Sequence, residues 1–163
     1  MIELQQLTAA ILIGTGATLV MDLWAWLLST VFKVPSMSFC LVGRWIGHMR
    51  SGVFRHQSIG KAAPQKAECL IGWVSHYIIG IAFALLLILP NDGLWLQNPS
   101  LWLALLVGMA TVVFPFFLMQ PALGSGIAAS KTSSPAKARL KSLLTHCVFG
   151  LGLYLSGRLF SML

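Results

Sequence analysis

The sequence predicts an all-α, polytopic membrane protein with four transmembrane helices. Three observations carry that prediction. Hydrophobic residues make up 57% of the 163-residue chain and charged residues only 9%, against about 25% charged in an ordinary globular domain. A chain this short cannot hide so much apolar surface in water, which disfavours a soluble enzyme. A disordered segment would be polar and poor in aromatics, and is disfavoured too. The apolar residues fall in four runs near the ~20 residues that cross a bilayer, and the basic residues collect in two clusters between them. Period-two alternation is absent, so a β-barrel is disfavoured.

The first run, 4–32, holds Asp22 as its only charge. The second, 69–89, has no Asp, Glu, Lys or Arg. The third, 93–130, is uncharged and almost purely apolar over 101–118. The fourth, 142–157, is short, but Lys141 and Arg158 at its ends can snorkel to the two interfaces. Helices are expected at 5–32, 69–90, 99–121 and 138–160, in a single transmembrane domain over 1–163 with cytoplasmic loops 33–68 and 122–137. The first apolar run is too long for a signal peptide, and Glu3 precedes it where Lys or Arg would be expected. The first helix is therefore expected to remain in the mature protein.

Ten of the eleven Lys and Arg lie in 33–66 and 131–141, while the opposite side has Glu3, Asp92 and Arg158. The positive-inside rule then puts both basic loops in the cytoplasm and both termini outside. The net charge of +7 needs no nucleic acid to explain it, and the loops suit a lipid bilayer with anionic headgroups. Cys40, Cys69 and Cys147 fall on or near that side without a Cys-x-x-Cys. They read as small apolar fillers rather than as a thiol–disulfide oxidoreductase.

The first loop has a pattern of its own. Over 38–55, Val42, Trp45, Ile46, Met49 and Val53 share one helical face, and Arg44, His48, Ser51 and Arg55 share the other. This predicts a short amphipathic helix in the inner headgroup layer. The rival reading is a cap docked on the spans that carries a polar site. A weak repeat also runs through the chain. Ser75-His76-Tyr77-Ile78-Ile79-Gly80 echoes Thr145-His146-Cys147-Val148-Phe149-Gly150, and Ala17-Thr18 echoes Ala110-Thr111. Two tandem helical hairpins related by a pseudo-two-fold would explain it.

Gly43-Arg44-Trp45-Ile46-Gly47-His48-Met49, Gly72-Trp73 with His76-Tyr77, and Met119-Gln120-Pro121-Ala122 with Gly124, Gly126 and Ile127 are similar to an uncharacterised bacterial membrane-protein family, domain of unknown function 2938. The resemblance covers nearly the whole chain. It implies a bacterial inner-membrane protein of about four spans and supplies no activity.

Function must therefore come from polar groups within the spans, which are costly and usually face the interior. On the first helix, Thr8, Thr15, Thr18, Asp22 and Ser29 form an inward stripe, and Ile13, Val20, Trp24 and Leu27 suit lipid. Gly72, His76 and Gly80 line one face of the second helix, and Ser142, His146, Gly150 and Gly157 one face of the fourth. At 1.5 Å per residue, Asp22, His76 and His146 are expected at one depth, with Gln120 below them. Pro115 is expected to kink the third helix. Glu68, Arg44, His48 and His56 would line the entry.

Three readings follow. An acid and two imidazoles would pass or sense a small solute or ion, with a homo-oligomer needed for alternating access. Alternatively, His76 and His146 would hold a b-type haem or, with Asp22, a metal ion, and Gly72, Gly80 and Gly150 would clear room for a flat macrocycle. Finally, the polar groups would only fix the packing of a structural or accessory subunit. An enzyme is not favoured. Gly124-Ser125-Gly126 with nearby Lys131 lacks the strand-turn-helix context of a hydrolase serine and reads as a turn.

Overall fold

The computed structural model describes residues 3–91 and 93–162, and those residues contain helices, turns and loops but no strand. Asp92, counted above among the acidic residues of the opposite side, lies outside them. Helix α1 spans Leu4–Thr30 and α2 spans Phe39–Met49. Helix α3 spans Glu68–Ile88, and α4 is the short Leu94–Gln97. The third long apolar segment, Leu101–Leu123, is built from α5 (Leu101–Ala110), a π-helical turn at Pro115–Met119 and α6 (Gln120–Leu123). Helix α7 spans Pro135–Phe160. Four of these segments are long and apolar enough to cross a membrane. Pro115 opens the π turn. Its ring cannot accept the regular ladder, so the helix rewinds there instead of ending.

The chain divides into two compact units. The first comprises Met1–Ser36, Tyr77–Thr111 and Leu143–Leu163. Its core is small-residue packing: Ala9, Ala10, Ala17, Ala84 and Ala104 are fully buried, together with Ile13, Leu87, Ile88 and Leu153. A Cβ on Gly108 would lie 2.6 Å from the Gly150 nitrogen, and one on Gly152 would lie 2.8 Å from the Ala17 Cα. Helices in hydrocarbon gain little from burying apolar side chains and associate through such close backbone approach. Leu19, Leu23, Trp26, Leu86, Leu106 and Leu155 stay exposed, as lipid-facing positions do.

The inward face of α1 differs from the expected one. Ile13, expected toward lipid, is fully buried, and Thr8 is exposed. The small residues Ala9, Ala10, Gly14 and Ala17 bury together because they permit contact. The hydroxyls of Thr8 and Ser29 turn back onto their own helix, to the carbonyls of Leu4 and Trp26.

The second unit comprises Met37–His76 and Val112–Ser142. Here α2 docks on the start of α3, the rival of the two readings considered for this loop. Two near-identical strings, Cys40-Leu41-Val42-Gly43 and Cys69-Leu70-Ile71-Gly72, meet reciprocally. A Cβ on Gly43 would overlap the Glu68 carbonyl, and one on Gly72 would overlap the Phe39 carbonyl. The two glycines let the backbones touch, and the Cα atoms of Cys40 and Cys69 stand 3.8 Å apart, joined by a disulfide. Cys40 and Cys69 are therefore not apolar fillers; Cys147 is free. The helix is also shorter than 38–55. It stops at Met49, the chain turns through Gly52 at a φ of 76°, and Trp45 Nε1 donates to the Phe54 carbonyl at 2.8 Å.

Candidate functional site

The first unit holds two polar pairs inside the spans. Asp22 lies on the sixth turn of α1, and Tyr77 of α3 donates its hydroxyl proton to Asp22 Oδ2 at 2.9 Å. On the other hairpin, the Thr111 hydroxyl, just past α5, lies 2.8 Å from His146 Nδ1 of α7. The same hydroxyl donates to the Gly108 carbonyl at 2.6 Å. Its single proton is thereby used, so the His146 nitrogen must be the donor to Thr111. Thr18, the counterpart of Thr111 in the repeat, is fully buried and donates to the Gly14 carbonyl at 2.7 Å. In both hairpins a threonine of the first helix thus bonds back to a glycine carbonyl. In both, that glycine packs against the glycine of the His-x-x-x-Gly string, Gly80 in one and Gly150 in the other.

In the second unit, His76 is buried, and its ring stacks on Phe39 at 3.9 Å with 25° between planes, with Trp73 at its edge. Gln120 Nε2 donates to Ser142 Oγ at 3.4 Å, and the buried Gln120 Oε1 has no hydrogen-bond partner among the described residues. The four expected entry residues come together here. Arg44 grips Glu68 with two parallel bonds, Nε to Oε2 at 2.9 Å and Nη2 to Oε1 at 2.7 Å. Its Nη1 donates to the Ala62 carbonyl at 3.1 Å, and the Gln65 amide donates to Glu68 at 2.8 Å. The Glu68 carboxylate raises the Arg44 pKa above its usual value through that hydrogen bond. His48 Nε2 lies 2.9 Å from the Ala63 carbonyl, and its ring meets that of His56 edge-on at 5.0 Å. Desolvation, then the neighbouring His48, holds His56 below the usual histidine pKa.

This geometry bears on the haem and metal readings. The space that Gly72, Gly80 and Gly150 would clear for a macrocycle is filled by the Phe39 backbone, the Thr18 side chain and the Ala104 backbone, respectively. The haem reading loses the room it relied on. Among the described residues no three His, Cys, Asp or Glu side chains form a group able to hold a metal ion. Tyr77 and Thr111 were missed as partners of the buried acid and imidazole.

Residues 11–160 match the model of a family described as a protein of unknown function, DUF2938. The chain belongs to this family. No curated protein and no solved structure matches it. The matched residues include Asp22, Tyr77, Thr111, His146, His76, Gln120, Arg44, Glu68, His48 and His56, and the family description names no chemistry for them.

Proposed function

We propose that this member of DUF2938 passes or senses a small solute or ion in a bacterial inner membrane, using the polar groups of its first unit. The observation that carries the reading is the Tyr77–Asp22 bond at 2.9 Å. A carboxylate in the middle of a 27-residue apolar helix is expensive to keep, and such residues usually serve transport, relay or sensing. Tyr77 supplies the carboxylate with a hydrogen-bond donor from the neighbouring helix. The Thr111–His146 pair supplies a second titratable group inside the spans of the same unit.

The charge pattern supports loops 33–68 and 122–137 facing the cytoplasm and both termini facing outward. The bilayer is the immediate partner, with anionic headgroups against the basic loops and a homo-oligomer completing the path.

The test is ion movement in reconstituted liposomes carrying a pH-sensitive dye. Wild-type protein should dissipate an imposed proton or cation gradient faster than empty liposomes. Asp22→Asn should abolish this while its melting temperature in detergent holds or rises. Equal leak for wild type, Asp22→Asn and empty liposomes would remove the reading and leave a structural pair.

A further inference from the structure

The second unit contains a cavity of about 720 Å³ that the buried-site reading does not use. One wall is the extended segment of Arg55, His56 and Gln57; the other is the turn that runs from Gly124 through Gly126 to Lys131. The walls are clamped to each other. The His56 amide donates to the Ala122 carbonyl at 2.8 Å. A Cβ on Gly124 would overlap the Gln57 carbonyl, so only glycine permits this approach. Gly124 and Gly126 have φ of 95° and 75°, the left-handed region that glycine enters without cost. Gly126 also leaves room for the side chains of Ser130 and Lys131 to fold over the turn. The Lys131 amide donates to the Ser125 carbonyl at 2.9 Å, and Arg139 of α7 braces the far side through the Ala128 carbonyl at 2.8 Å.

The charge on these walls is uncompensated. The unit contains nine Lys and Arg and a single carboxylate, Glu68, which Arg44 already holds. Among the described residues, the side chains of Arg55 and Lys131 have no hydrogen-bond or ion-pair partner. Arg55 and Lys131 line the same cavity with no carboxylate beside them, and such a wall favours an anion.

We propose that this cavity binds a phosphate group, with Arg55 and Lys131 as its charge partners and Ser130 as a further hydrogen-bonding group. A planar guanidinium and a point ammonium around a small turn suit a tetrahedral oxyanion. The group is either that of an anionic lipid at the membrane surface or free phosphate from water. The proposal is independent of Asp22.

Purified protein in lipid-free detergent is titrated with inorganic phosphate and, in a separate arm, placed in nanodiscs of phosphatidylcholine with or without phosphatidylglycerol. Melting temperature and calorimetric Kd are the readouts. Free phosphate as the source raises the melting temperature in detergent. A lipid source raises it only in discs that contain phosphatidylglycerol. In either case Lys131→Gln and Arg55→Gln should each weaken binding about tenfold, while Lys61→Gln, outside the cavity, should leave it within about twofold. Lys131→Arg keeps the charge and should keep binding, which separates lost contact from lost fold. Binding in neither arm, or equal loss in Lys61→Gln and Lys131→Gln, would overturn the proposal.

Discussion

At the scale of single residues, the decisive groups are those whose partners the sequence did not name. Asp22 was visible at once, as the one charge in a long apolar run. Tyr77 was not, because nothing in spacing distinguishes a tyrosine that reaches a carboxylate from one that sits at an interface. His56 is a second case. Desolvation and His48 disfavour its charged form in the folded chain, so the unfolded chain takes up its proton at the higher pH. Its contribution to stability is therefore complete above the ordinary histidine pKa of about 6.5 and is lost as pH falls through the lowered folded value. Melting curves in phosphate-free detergent should show the melting temperature of wild type falling below pH 6.5 more steeply than that of His56→Gln. Parallel curves would mean that His56 keeps its ordinary proton affinity in the fold.

At the scale of elements, α2 is the instructive one. Its amphipathic pattern was legible, and its docking was not. The pattern of apolar and basic faces suits a headgroup layer as well as a protein surface. What decides is the reciprocal contact of Gly43 and Gly72 with the disulfide beside it. The repeated Cys-Leu-Val/Ile-Gly string was the available signal, hidden because the two copies start different elements. Gly72→Leu should force α2 away from α3 and lower the melting temperature by several degrees, since the added side chain meets the Phe39 backbone rather than a flexible tip. Cys40→Ser with Cys69→Ser should cost of the order of 3 kcal/mol for a 29-residue separation and leave α2 docked, because the glycine contact remains. If the serine pair unfolded the protein and Gly72→Leu did not, the covalent link would be the main tie.

At the scale of the whole molecule, two observations pull against each other. The positive-inside pattern favours a cytoplasmic loop 33–68, whereas a disulfide persists on an oxidising face. The charge pattern is set by six basic residues in that loop and four in the next, and it supports the cytoplasmic placement. On that placement the Cys40–Cys69 bond is expected to be open in growing cells and to close on oxidation. A periplasm-active reporter fused at the C-terminus should be active and one fused near Lys61 silent, and in the same cells Cys40 and Cys69 should react with a permeant alkylating reagent. A reporter near Lys61 that is active, with both thiols protected, would reverse the topology.

The sequence by itself determined that this is a helical chain with four helices long and apolar enough to span a membrane, with its basic residues gathered in 33–66 and 131–141 and Asp22 within the first. These follow from composition and run length, which a bilayer reads directly. Tertiary structure decided which face of α1 is buried, that Tyr77 meets Asp22, that α2 is docked, and that Arg55 and His56 share a cavity with Lys131. In hydrocarbon, polarity no longer separates inside from outside. Contact is chosen by where small residues let two backbones touch, and a single sequence does not say which glycine will meet which helix.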